Sequence, residues 1–543
     1  MSTTSPAPFP ASGMRALSPR ETMQRLKANS CNLPQQASPI SSCSGQVNVG
    51  IFFDGTGNNM KADFDDPPPA QRKHSNVVKL FRCMPTVRAI GRFSYYIPGV
   101  GTPFPDIGEN TAAGGGAAMA VGGAQRITWA MLDLINAPHV YVHGAPLIDK
   151  AQAKTISGNL AGTLTPDFMR RVPLRYWQDK LNAALRDQKP RVEQINVSVF
   201  GFSRGAAQAR AFVNWLFEVC EQKDGGWTFA GIPFRLQFLG IFDTVASVGL
   251  ADLTGTGVLD GRMSWANDNL QIHPAVEQCV HYVAGHEVRS TFSLDSVRVK
   301  SSYPSNAMEV MYPGVHSDVG GGYATGDLGV SPTQDSFVSI IPGVSMYKAA
   351  RLAGVPLLNW SELRAIDRES LTPSDDAVQS FNAYVRDAAI GNGQVEQMGR
   401  RHMSLFFSHR FKHRAEFYSR PPFTTASPEG QRYLRTTQDS FIQRLSTLAS
   451  RLNAMGPDYD PPRMAKLHED MNKAAGLTGT ATKETTAVEV AKSIDPRKLT
   501  PAVEHLFDHY LHDSMAGFME KLDEFKWNGL GIVRFRTVYK GND

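Results

Sequence analysis

The stretch Val192-Glu193-Gln194-Ile195-Asn196-Val197-Ser198-Val199-Phe200-Gly201-Phe202-Ser203-Arg204-Gly205-Ala206-Ala207 runs from a buried strand through a tight turn into a helix. The apolar run to Phe200 has the pattern of a strand covered on both faces, and the continuation to Cys220 has helical spacing. Between them, Gly201-Phe202-Ser203-Arg204-Gly205 sets a serine among small residues at the end of a strand, as a nucleophile elbow does. In such a turn the serine is strained and raised above the sheet. Small neighbours let the strand and helix backbones approach. The Arg204 N–H and the helix N-terminus then face the charge that develops on an acyl oxygen. A pattern with so few fixed positions recurs by chance, and it is the flanking strand and helix that make the reading specific.

Outward from this turn the alternation continues. Val47, Val49, Ile51, Phe52 and Phe53 read as a buried strand that stops at Asp54-Gly55-Thr56-Gly57-Asn58-Asn59. Helices are predicted at His74 to Met84, Ile127 to Asn136, Pro166 to Asp187 and Gln278 to His286, and strands at Phe93 to Ile97, Arg235 to Phe242 and Ala307 to Met311. Strands that alternate with helices of this length need crossover connections, so the fold class is α/β: an α/β-hydrolase-like, mostly parallel sheet flanked by helices. Beyond about residue 330 strand signals thin out. Ser336 to Ala353, Ser374 to Ile390, Gly430 to Asn453 and Pro501 to Trp527 have helical spacing, Ser361 to Asp375 and Gly476 to Pro496 read as loops, and Gly529 to Tyr539 reads as a returning strand.

At 543 residues the chain exceeds what one core usually serves, roughly 250 to 300. The expected division is a flexible Pro/Ser-rich leader at 1–45 with one short helix from Pro19 to Ala28, a catalytic domain at 46–355, a helical cap at 356–500, and a C-terminal helix and strand at 501–543 that pack back on the catalytic domain. Hydrophobic residues at 42% and charged residues at 20% are the balance of a folded chain. A net charge of +5 is too small to argue for nucleic acid and favours anionic surfaces only mildly. No apolar run is long enough to span a membrane, and the first 30 residues lack a secretory pattern, so the expectation is synthesis in the cytoplasm and export, if any, without a signal peptide. Cys31, Cys43, Cys83, Cys220 and Cys279 have no metal-type spacing and are read as reduced thiols, a Cys31 to Cys43 bridge being the exception kept open.

A serine hydroxyl needs a base in hydrogen-bond reach, and the base needs an orienting acid, in the chain order Ser, acid, His for this fold. Phe238-Leu239-Gly240-Ile241-Phe242 is a buried strand that delivers Asp243 to its carboxyl end, where catalytic loops of open α/β sheets gather. Asp243 is the candidate acid, an Asx turn being its plainer reading. Among 14 histidines, His316 stands out, in a glycine-dense loop after a strand. Asp318 and Asp295 are rival acids, ranked lower, Asp318 because it lies two residues from the base. Gly55 or Thr56, in the loop after the first strand, is placed to give the second oxyanion donor beside Arg204.

Other chemistries are disfavoured. No Lys-Ser/Thr pair follows Asp54, as a nucleotide P-loop would require, and Asp63, Asp65 and Asp66 lack calcium-loop spacing. Gly114-Gly115-Gly116 with Gly122-Gly123 lacks the dinucleotide fingerprint. Neither metal nor cofactor is expected. From Arg400 to Arg414 basic residues interleave with apolar ones, and Phe406, Phe407, Arg410, Phe411, Lys412 and Arg414 are candidates for contact with an anionic bilayer, against the plainer reading of a cap helix that buries its phenylalanines.

Phe53-Asp54-Gly55-Thr56-Gly57-Asn58, Gly99-Val100-Gly101-Thr102, Phe200 to Ala206, Phe242-Asp243-Thr244-Val245 and Gly314 to Tyr323 together resemble the first family of bacterial type VI secretion lipase effectors. The resemblance covers about residues 46 to 355 and is loose in the helical region. It implies phospholipase A activity on membrane glycerophospholipids through Ser203, Asp243 and His316. It also implies delivery by a secretion spike protein or adaptor into a target cell's periplasm, neutralisation by a cognate immunity protein, and a membrane-anchoring role outside the hydrolase core. The competing readings are an esterase or thioesterase on a soluble acyl substrate, which would show no jump in activity at vesicles, and a non-catalytic lipid-binding scaffold.

Overall fold

A computed structural model describes residues 2–10, 17–30, 44–112, 122–161, 167–247, 264–266, 270–449, 452–474, 483–518 and 533–539. Its strands are β1 (Ser44–Phe53), β2 (Arg92–Ile97), β3 (Arg191–Phe202), β4 (Glu221–Lys223), β5 (Gly226–Phe229), β6 (Ile232–Phe242), β7 (Cys279–Ala284), β8 (Leu294–Asp295), β9 (Ala307–Tyr312) and β10 (Val538–Tyr539). Six of them form one parallel sheet in the order β2-β1-β3-β6-β7-β9. The β4-β5 hairpin pairs antiparallel with the start of β6, and β7 pairs with that strand from Leu239 to Phe242.

Helices cover both faces, which is why the strands are so evenly apolar. Val47, Val49, Ile51 and Phe53 of β1 join one core with residues of the helices Gly123–His143 and Arg204–Phe217. Phe52, Phe200, Phe202 and Phe238 join the opposite one with the helices Asn76–Arg82 and Ile340–Leu352. This arrangement is the α/β fold expected from the sequence.

The segment Gln278 to His286, expected as helix, is instead strand β7. All six of its residues are buried, and a short run that is apolar on both faces carries no period to tell strand from helix. Two segments expected as loops contain the helices Ala365–Glu369 and Lys483–Ser493. The helix expected from Pro501 to Trp527 ends at His509, and residues 519–532 lie outside the described ones.

The helices Val395–Lys412, Pro428–Ser446, Lys483–Ser493 and Pro501–His509 share a core with Val283, Leu294 and Met311 of the sheet domain, so the helical region is seated on the carboxyl-side strands. The amino-terminal residues are also fastened. Thr4 donates to the Glu309 carbonyl at 3.0 Å and accepts from Met311 at 2.9 Å, extending the sheet beyond β9, and Phe9 is buried. The helix Pro19–Asn29 has a Ser18–Glu21 capping box, and Glu21 meets Lys348 at 2.6 Å. Cys83, Cys220 and Cys279 are buried free thiols, while Cys31, Cys43 and the Gly114-Gly115-Gly116 run lie outside the described residues. No described helix is long and apolar enough to cross a membrane.

Candidate active site

From β1 the chain moves to β2 on one side and later to β3 on the other, so the order reverses between β1 and β3. Ligand sites of open parallel sheets gather outside the strand ends at such a point. Phe53 at the end of β1 pairs with Gly201 of β3, and Phe202 pairs with Phe242 of β6. The loops that start at Asp54, Ser203 and Asp243 therefore open side by side.

Ser203 has φ 60° and ψ −128°, a strained conformation for a residue with a Cβ, immediately before the helix Arg204–Phe217. Such strain costs about 1–3 kcal/mol and persists where the surroundings over-determine it. The Ser203 amide donates to the Phe242 carbonyl at 3.0 Å, and its carbonyl accepts from Val245 at 3.2 Å. Gly205 is required by contact: a Cβ there would lie 2.3 Å from the Asp54 carbonyl oxygen.

Asp243, φ 40°, is fully buried. Its Oδ2 lies 2.5 Å from His316 Nδ1, and its Oδ1 accepts from the Ala284 amide at 2.9 Å. The His316 ring packs on Phe202, centroids 4.6 Å apart, so the base stands against the residue preceding Ser203. Burial alone would raise the Asp243 carboxyl, but Arg536 and His316 outweigh it and hold the group well below the usual carboxylate range. Burial lowers the His316 imidazole, Asp243 opposes it by hydrogen bond and charge, and the net is below the ordinary histidine value. The dyad is thus arranged as carboxylate and neutral imidazole, the state in which a histidine can accept a proton.

Three features of the site had no signal in the sequence. Arg536, 293 residues beyond Asp243, clamps its carboxylate with two bonds of 2.7 and 2.8 Å and donates to the Phe292 carbonyl at 2.7 Å. It lies two residues before β10, which pairs parallel with β8 and anchors that end of the chain beside the site. Glu287, held to about 2 by Arg289 against the upward push of burial, accepts from the His316 amide at 3.2 Å. The third is the support of Asp54. Its carboxyl is pushed up to about 6 by burial and accepts from Ser75 and Tyr96, each at 2.6 Å.

Asp54 also corrects one expectation. The Gly55 N–H donates to Asp54 Oδ1 at 2.8 Å and is committed there, which leaves Thr56 as the candidate donor of that loop beside Arg204. The Arg204 guanidinium is buried and lowered to about 10 by that burial and by Arg289. Asp318 does not serve His316: it accepts from the Val315 amide and pairs with His512 Nδ1 at 2.6 Å. Asp295 is fully buried beside Arg210.

Four of the six residues proposed to meet a bilayer, Phe406, Phe407, Arg410 and Phe411, are buried. Phe406, Phe407 and Phe411 are buried in the helical core, and Arg410 is buried against Asp513 and over the Phe417 ring. Lys412 pairs with Glu504 at 2.7 Å, and Arg414 lies over Phe411 and donates to the Gly456 carbonyl. The helix turns its phenylalanines and Arg410 inward, so the plainer reading, core packing, describes those residues. Among the described residues no cluster of His, Cys, Asp and Glu could hold a metal.

The model of the type VI secretion system phospholipase effector Tle1-like catalytic domain matches residues 48–220 and 218–348. No curated protein matches the chain. An uncharacterized protein from Pseudomonas aeruginosa, known from a crystal structure, is similar over 100% of this chain and 85% of its own, with 26% identity and a TM-score of 0.77. A structure of the Tle1 effector bound to the VgrG spike from the type VI secretion system aligns over 52% of each chain, with 23% identity and a TM-score of 0.31.

Proposed function

Because the chain belongs to the Tle1-like family of type VI secretion phospholipase effectors, we propose that it is an antibacterial phospholipase A that cleaves acyl esters of membrane glycerophospholipids through Ser203, His316 and Asp243. The observation that carries the reading is the strained Ser203 at the reversal point of the sheet, next to Phe202, on which the imidazole of the 2.5 Å His316–Asp243 pair packs. His316 Nε2 takes the Ser203 proton as Oγ attacks the acyl carbonyl. The tetrahedral oxyanion is met by the Arg204 and Thr56 N–H groups. Collapse expels the lysophospholipid alkoxide, which takes the proton from His316, and water activated by the same imidazole then releases the fatty acid. Arg536 and Glu287 are positioning residues in this scheme.

The site is covered as well as formed. Ser203 is only 3% exposed, and Phe292 packs edge-to-face with both His316 and Phe518 while lying beneath the Arg289 guanidinium. The serine is thus enclosed among the described residues, which suits a substrate drawn out of a bilayer rather than one met free in water. Family membership further supports loading on a spike protein or adaptor, action in the periplasm of a target cell, and a cognate immunity protein.

Mass spectrometry of the products from a phospholipid with two different acyl chains tests the proposal. Release of one chain by the wild type and none by Ser203→Ala is the expected result, and the chain released assigns the A1 or A2 position. Absence of acyl release from any phospholipid vesicle would overturn it.

A further inference from the structure

Behind the oxyanion loop lies a cavity of about 260 Å³ that the esterase chemistry does not use. Its wall includes Arg72, Lys73, His74 and Lys79, together with Gly322 and Tyr323 from the loop that follows His316. Lys79 is 6% exposed, and its ammonium, which opens on the cavity, has no hydrogen-bond or ion-pair partner among the described residues. His74 is 7% exposed, and both of its ring nitrogens are buried without a partner among the described residues. Burying a cation costs far more than burying a neutral side chain of the same size, so unpaired buried cations are rare outside functional sites.

The opposing charges in the wall do not meet this demand. Asp335 spends an oxygen on the Thr333 hydroxyl at 2.5 Å, and Glu369 is exposed. Arg72, also in the wall, is fixed over the Phe64 ring and donates Nε–H to the Phe64 carbonyl, which spends one of its donors. Burial pushes the Lys79 ammonium down to about 7, so an arriving anion would stabilise its charged form.

The geometry points to an anion subsite: we propose that the cavity lined by Lys79, His74, Arg72 and Lys73 binds a phosphate-type group. Its place supports a link to the reaction. Ser75, next to His74, bonds the Asp54 carboxylate that also holds the Gly55 N–H, and it bridges to Gly321 behind His316. On the reading that the substrate is a phospholipid, on which this source rests, the bound group is the phosphodiester of the lipid head group; the same chemistry would accept free phosphate.

Calorimetry of the full chain with inorganic phosphate tests the site without reference to activity. The wild type is expected to bind, Lys79→Met to bind at least tenfold more weakly, and Lys79→Arg, which keeps the charge, to recover part of the loss. Thermal melting of each variant shows that it is folded, and Lys79→Met, freed of an unpaired buried cation, is expected to melt no lower than the wild type. Lack of phosphate binding by the wild type, or equal binding by folded Lys79→Met, would overturn the proposal.

The source is decided by kcat/KM for a short-chain phospholipid divided by that for a short-chain diacylglycerol. A tenfold fall of this ratio in Lys79→Met assigns the head group, whereas an unchanged ratio with phosphate binding lost assigns free phosphate. A protein that hydrolyses no phospholipid would refute the proposed function and leave the calorimetric result to judge the site.

Discussion

Of the buried histidine–aspartate pairs among the described residues, two that join a ring Nδ1 to a carboxylate lie at nearly the same separation. His316 and Asp243 are 2.5 Å apart, His512 and Asp318 2.6 Å. Local chemistry hardly separates them, but place does. The first pair spans the ends of β6 and the loop after β9, beside the strained Ser203, while in the second the His512 ring stacks on Tyr323, centroids 3.6 Å apart, with Nε2 buried and unpartnered among the described residues. One pair lies against the turn that carries Ser203, its imidazole packed on Phe202; the other holds one segment of chain to another. Asp318 does the latter, tying the loop behind His316 to the chain beyond the helix Pro501–His509.

The comparison breaks most directly by mutation. His316→Ala and Asp243→Asn are each expected to lower turnover by about 10³–10⁴-fold or more, since members of a triad act as a unit. Steady-state hydrolysis of a soluble ester measures this, and an equal loss in a folded His512→Ala variant would erase the distinction.

Arg536→Ala sharpens the role of the clamp, with an expected loss of roughly tenfold, well short of the loss on removing a triad member. A base acts only when neutral, so activity of the wild type falls as pH drops through a His316 pKa that lies below the ordinary value. Arg536 draws on the charge of Asp243. Removing it strengthens the hold of that carboxylate on the imidazolium, raises the His316 pKa and moves the acid limb of the pH–rate profile upward, with partial restoration in Arg536→Lys. A loss of rate without any movement of that limb would make Arg536 a structural tie only.

His512→Ala is expected to reduce stability by about 3 kcal/mol in denaturant titration, as removal of a stacked, paired, buried ring does, while turnover of the folded protein changes by less than about threefold. Smallest of all, Lys412→Gln removes a half-exposed pair with Glu504, worth at most about 1 kcal/mol, and leaves binding to anionic vesicles at low salt unchanged. Weaker vesicle binding would return the bilayer role to that helix.

What could be read in advance follows the same division. The strand, turn and helix around Ser203 were legible because their signals are local: an apolar run, small residues and a helical repeat within a few residues of one another. Asp243 and His316 were legible because both follow strand ends. β7 was not, since Cys279-Val280-His281-Tyr282-Val283-Ala284 is buried on both faces and has no period. Arg536 could not be found at all, because its partner lies 293 residues away and an arginine just ahead of a two-residue strand carries no mark of the carboxylate it meets. The segment from Arg400 to Arg414 misled because its phenylalanines are buried in the helical core and Arg410 and Lys412 meet Asp513 and Glu504, distant partners that no local pattern reveals.

The central claim, that Ser203 is the nucleophile served by the first of the two pairs, is tested most directly by covalent capture. Incubation with a phosphonate analogue of a phospholipid and peptide mass spectrometry are expected to find one adduct, on Ser203, formed at a rate that falls sharply in His316→Ala and hardly at all in His512→Ala. Inactivation without an adduct on Ser203, or an adduct whose rate depends on His512 as much as on His316, would contradict the account.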